Sequence, residues 1–207
     1  MSRTVRWMLL VGLVLLTPAL LAAPSQGQAA RKGVMVVDFE DAAGGWSSTR
    51  EVVTTRVIAR LRDDQTLRVI PRERVQEALR EAKLESAGFL DWEAAQKVAK
   101  TLEADFVVMG QVAAFDQQYT GGCLPIVGCL YTLTATVTLR GRVLNAADGK
   151  VVAEPRSEMR ETQSSISVWV GPWWSSVDVN NFDGQLIGKA TAKAIDDLVG
   201  KVKPYLK

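Results

Sequence analysis

The sharpest change of pattern along this chain falls between residues 94 and 115. Ala94, Ala95, Val98, Ala99 and Leu102 recur at the spacing of one helix face. Residues 106–109 are then all apolar, and Gly110 leads on to Phe115. A short apolar run directly behind a helix predicts a central strand covered on both faces. Upstream, the β-rich run at 33–39 predicts a first strand. Residues 40–46 read as a loop. Ser48 and Glu51 have the spacing of a capping box, opening a helix to about Arg62 with Val53, Val57 and Leu61 on its buried face. Residues 67–70 predict a second strand. After Pro71, residues 72–83 predict a helix that buries Val75, Leu79 and Ala82 and solvates Arg72, Glu73, Arg74, Glu77, Arg80 and Glu81. Asp91 is suited to cap the helix that follows.

Beyond Phe115, residues 116–122 read as a polar turn region. Residues 131–145 set Tyr131, Leu133, Ala135, Val137 and Leu139 against Thr132, Thr134, Thr136, Thr138 and Arg140, the period-two pattern of a strand with one face inward. Residues 146–149 form a turn in which Gly149 supplies positive φ. Residues 151–161 return as the hairpin partner, and Pro155 predicts a bulge or an edge position there. A final helix carries Leu186, Ile187, Ala190, Ala194, Leu198 and Val202 as its stripe, with Asn180, Asn181 or Asp183 as cap. Its small residues, Gly188, Ala190, Ala192 and Ala194, allow close approach to a sheet. The pattern predicts one α/β (α+β) domain over 31–207, a mixed sheet flanked by helices with an extended β-hairpin.

The first thirty residues belong to a different class. Arg3 and Arg6 precede an apolar run over 7–16, Pro18 breaks it, small residues follow at Ala22, Ala23, Ala29 and Ala30, and cleavage is expected after Ala23 or Ala29. This is the pattern of a secretory signal peptide, too short for the ~20 residues of a membrane-spanning helix. Without that segment the chain holds 23 basic and 23 acidic residues, so the apparent net charge of +2 comes from the targeting signal. No basic cluster interleaves with aromatics, which speaks against nucleic acid as a partner. The chain has no histidine. The usual general base, pH switch and commonest metal ligand are therefore missing. No catalytic, cofactor-binding or metal-binding set is predicted. Gly44-Gly45 lacks the lysine and hydroxyl of a phosphate loop. Asp38, Glu40 and Asp41 are the nearest approach to a carboxylate pair, and acids following a strand read first as loop caps and solvated charges.

Two stretches carry residues with a use beyond the core. Cys123 and Cys129 enclose five residues, of which Leu124, Pro125, Ile126 and Val127 are apolar. In an exported protein the spacing points to a disulfide closing a small loop, with a two-ligand metal site or a free redox pair as alternatives. Trp169, Trp173 and Trp174 crowd around Gly171-Pro172 among serines. They either cover the core of an extended hairpin or bury themselves against a partner or a membrane interface, where tryptophan is favoured.

The order of these parts is familiar. V-V-D-F at 36–39, P-R-E-R-V-Q-E-A-L-R-E at 71–81, L-E-A-D-F-V-V-M-G-Q-V-A-A-F at 102–115, a threonine-rich hairpin with a D-G-K turn, and N-N-F-D-G-Q-L-I-G-K-A-T-A-K-A-I-D-D-L at 180–198 resemble the CsgG/HfaB family of curli-type assembly and secretion proteins. They are also similar to two groups of relatives, the lipoprotein activators of penicillin-binding proteins and the exopolysaccharide-export lipoproteins. The resemblance spans roughly 33–115 and 131–203. It implies a non-enzymatic, exported homo-oligomer at the periplasmic face of the outer membrane, with cell-envelope proteins as partners, outer-membrane contact, and no cofactor. It also implies an alternative, a monomeric periplasmic module that docks on a cell-envelope enzyme. The family's secretion channel adds two β-hairpins per subunit, in regions corresponding to 115–135 and 155–182. The chain departs from its relatives in lacking a lipidated cysteine, and both candidate hairpins read as short.

Overall fold

A computed structural model describes residues 31–44, 48–84, 92–124, 128–167 and 185–207. Among the described residues, seven strands form one open mixed sheet, flanked by four helices. The strands are β1 (Lys32–Val36), β2 (Glu40–Asp41), β3 (Leu67–Val69), β4 (Phe106–Leu124), β5 (Gly128–Asn145), β6 (Val151–Ala153) and β7 (Arg156–Ser167). The helices are α1 (Thr49–Arg62), α2 (Arg72–Glu81), α3 (Trp92–Thr101) and α4 (Leu186–Val202).

The predicted helix–strand unit at 94–115 is the centre of this arrangement. β4 pairs in parallel with β1 and antiparallel with β5, and β3 lies on the far side of β1. Alternate residues of the central strands feed two cores. Val34, Val36, Phe106, Val108, Val112 and Val143 pack with α1 and α4 on one face. Met35, Val37, Val107, Met109 and Leu144 pack with α2 and α3 on the other. A strand covered on both faces can be apolar at successive positions, which explains its run without alternation. Gly110 is required where β4 crosses the core. A Cβ there would lie 2.5 Å from the Phe39 ring and 2.6 Å from the Arg140 carbonyl oxygen.

The predicted turn at 116–122 is a correction. β4 continues through these residues, and its ladder with β5 runs unbroken from Ala114↔Thr138 to Leu124↔Gly128. A register shift between Val112 and Ala114 marks a bulge where the strand leaves the core. Polar residues read as a turn because Asp116, Gln118 and Thr120, on one face of the strand, are exposed. Pro155 interrupts the partner of β5 between β6 and β7, both on the sheet's edge, and its carbonyl accepts the Gly141 N–H at 2.8 Å. Gly149 has φ +71° in the predicted turn.

Three smaller expectations also change. Ser48 makes no side-chain cap, because its backbone is already helical (φ −90°, ψ −9°) and the hydroxyl cannot turn back onto the first-turn amides. Ala82 is exposed, since α2 ends there instead of burying it. α4 begins after Gln185, again without a side-chain cap, while Asn180, Asn181, Asp183 and Asp91 lie outside the described residues.

Candidate functional site: the three-stranded arm and its base

Beyond the bulge, β4, β5 and β7 continue together as an arm. The register of β5 against β4 and β7 places Thr132, Thr134, Thr136 and Thr138 in one central row. Asp116, Gln118 and Thr120 flank it on β4, and Glu158, Arg160, Thr162 and Ser164 flank it on β7. The Thr132 and Ser164 hydroxyls lie 3.2 Å apart across the strands. The opposite face is where α4 packs. Ala135 and Val137 are fully buried against Ala190 and Ala194, and Lys193 Nζ lies 2.6 Å from Glu161 Oε1. Leu133 is the last residue of β5 toward the tip to join that core. Past it, Tyr119, Leu130 and Tyr131 are exposed.

At the tip, Cys123 of β4 stands directly opposite Cys129 of β5 in the ladder. Opposed residues of an antiparallel pair have Cα separations of about 4.5–5.5 Å, within the range a disulfide spans. Their side chains lie outside the described residues, as do Trp169, Trp173 and Trp174 entirely.

The carboxylates behind β1 have structural positions. Asp38 Oδ1 and Oδ2 accept the Arg72 Nε (2.8 Å) and Nη2 (2.7 Å), and Gln76 Nε2 reaches Oδ2 at 3.2 Å. Arg72 Nη1 also lies 3.5 Å from Glu51. Burial pushes the Asp38 carboxyl up, but the hydrogen bonds and charge of Arg72, with Gln76 and Arg50 adding to them, hold it below its ordinary value. Arg72 is therefore not part of a solvated face. It is a half-buried clamp between α2 and the end of β1. Asp41 Oδ1 accepts the Ala43 N–H at 3.2 Å within its own turn.

At the base of the arm lies a cleft that the sequence reading missed. It has a volume of about 410 Å³, and its walls include Gln111, Arg140, Arg142, Glu154 and Arg156. The paired backbones of Gly110 and Gly141 line it as well. The available signal was Arg140-Gly141-Arg142, since residues two apart on a strand share a face.

The sequence matches the family described as curli production assembly/transport component CsgG over residues 19–203 of 207. The chain belongs to the CsgG family. No curated protein compared with it is significantly similar. Among solved structures it is similar to a hypothetical protein from Chlamydia trachomatis, at 16% identity over 86% of this chain and 98% of that one, with a TM-score of 0.50. It is also similar to the LpoB C-terminal domain from Salmonella enterica, at 11% identity over 64% of this chain and 85% of that one, with a TM-score of 0.46. The PelC dodecamer from Paraburkholderia phytofirmans aligns at 14% identity over 84% and 87%, with a TM-score of 0.43. At these identities the likeness concerns the fold alone.

For this CsgG-family chain, the first of the two regions read as hairpins is longer than its sequence suggested. Strands β4 and β5 keep pairing out to Leu124 and Gly128. The second begins with β7 and passes out of the described residues after Ser167. Among the described residues, no helix is long and apolar enough to cross a membrane.

Proposed function

We propose that this chain is an exported, non-catalytic assembly and secretion component that forms a ring at the periplasmic face of the outer membrane. The family match over 19–203 carries the reading. Residues 1–30 supply the export signal in it, and the arm, with the tryptophans at 169, 173 and 174, supplies contacts to neighbouring subunits and the membrane surface.

The arm's geometry favours a periplasmic ring over a β-barrel pore. A membrane-crossing strand needs about 9–11 residues. Because α4 covers one face of the arm as far as Leu133, among the described residues of β4 and β5 only 120–124 and 128–132 reach beyond it, five residues in each strand. The face away from α4 carries Thr132, Thr134 and Thr136, partly exposed hydroxyls that suit water rather than lipid, while Thr138 at the foot of the row is buried.

Light scattering on the mature protein, in buffer and in detergent, tests this. A discrete oligomer of the same mass in both is the expected result. An oligomer formed only in detergent would favour the pore, and a strict monomer in both would refute assembly.

The exposed Tyr119, Leu130 and Tyr131 at the arm's tip support a second reading, a monomeric module that docks on a cell-envelope enzyme. In that case Trp173→Ala with Trp174→Ala removes one partner from a cross-linking profile and leaves the mass of the free protein unchanged. An unaltered profile would count against it.

A further inference from the structure

The cleft at the base of the arm holds more positive charge than its own carboxylates neutralise. Arg140 of β5 stands directly opposite Arg156 of β7, and Arg142 shares their face two residues along β5. Like charges directly opposed on an antiparallel pair are destabilising. Two of the three guanidiniums have carboxylate partners. Glu154 Oε1 receives Arg142 Nε at 2.8 Å and Nη2 at 2.7 Å, and Glu158 Oε2 receives Arg156 Nη2 at 2.8 Å. Arg140 is exposed and has no partner among the described residues. Across the sheet its row continues through Gln111 of β4 to Glu40 of β2. Glu40 is two strands from Arg140, roughly 10 Å at the usual strand spacing, and among the described residues no hydrogen bond or ion pair joins the two.

The arrangement therefore places an unpaired guanidinium in a concave site beside two others, one held by Glu154 in the cleft wall and one by Glu158, which does not line the cleft. The side-chain amide of Gln111 lies beside it as a further donor. A guanidinium presents a planar fork that binds carboxylate or phosphate oxygens two at a time. The volume of about 410 Å³ admits a small organic anion.

We propose that this cleft is a binding site for a multivalent oxyanion, a small molecule bearing carboxylate or phosphate groups, with Arg140 as its primary ligand and Arg142, Arg156 and Gln111 completing the site. The site rests on the charge layout alone and is independent of the assembly reading.

Calorimetric titration of the full mature chain at low salt, with pyrophosphate in one arm and citrate in the other, tests the proposal. Saturable binding of one anion per chain is expected for at least one probe, and the arm that binds identifies the group. Arg140→Gln weakens it at least about tenfold, as loss of a charge-assisted bidentate contact does. Lys189→Gln, the same charge change on α4, leaves it unaltered. In anion-free buffer Arg140→Gln raises the melting temperature by relieving its opposition to Arg156. No saturable binding of either probe, equal binding by Arg140→Gln, or a lower melting temperature in that variant without anion would overturn the proposal.

Discussion

Asp38 shows how a residue that reads as candidate chemistry becomes part of the frame. Its two oxygens are engaged by Arg72 and Gln76, so it ties the start of α2 to the end of β1. Its pKa is lower in the folded chain than its ordinary value of 3.8. The stabilisation it provides is therefore complete above that value and is lost as pH falls through the folded one. Asp38→Asn is expected to cost about 1–2 kcal/mol near neutrality, where it leaves Arg72 half-buried with only Glu51 beside it. Thermal melts between pH 6 and pH 3 check the sign: the variant loses less stability with acid than the parent, and parallel curves would be the wrong outcome. Gly110 gives a second prediction at this scale. A side chain there meets the Phe39 ring and the Arg140 carbonyl at once, and backbone yields less readily than a flexible side chain. Gly110→Val should lower stability by about 2 kcal/mol or more in denaturant titration, whereas Gly122→Val, where a Cβ meets nothing within 4 Å, should change little.

Among the elements, those with a single repeating pattern were the legible ones. The apolar run of β4 and the helix faces of α1, α3 and α4 report burial directly, and burial is what the sequence encodes most strongly. The arm was only half legible. Thr132 to Thr138 alternate visibly on β5, but Asp116 to Gly122 on β4 look like a turn because both their neighbours and their exposed face are polar. The capping box at Ser48 failed for a related reason, since a local motif cannot report the backbone angle that tertiary packing imposes. Tertiary position also decided the cleft: Arg140 and Arg156 are adjacent only through the register of β5 and β7. The cysteines belong to this scale as well. Because the ladder opposes Cys123 and Cys129, oxidised protein should yield a 123–129 peptide lighter by two hydrogens in mass spectrometry without reductant. Two free thiols in protein isolated under oxidising conditions would rule the cross-link out. Cys123→Ser should lower stability only modestly, because the loop it closes is short and the constraint on the unfolded chain small.

On the scale of the whole molecule, the parallel and antiparallel halves of the sheet meet on one strand. Three residues of sequence separate β4 from β5, whereas the pair Val34↔Phe106 that joins β1 to β4 is more than seventy residues apart. Closing the short loop costs far less chain entropy than closing the long one. The β4–β5 hairpin is therefore expected to assemble first and to offer its free edge as the template on which β1 docks. Folding kinetics would register this as a polarised transition state. Val137→Ala should slow folding, whereas Val34→Ala should mainly speed unfolding, and the reverse assignment would disprove the order. A chain delivered from its N-terminus presents Val34 to Val37 to solvent well before Phe106 arrives. The time β1 spends waiting, rather than the stability of the finished sheet, then sets how exposed this protein is to aggregation on its way to the native state.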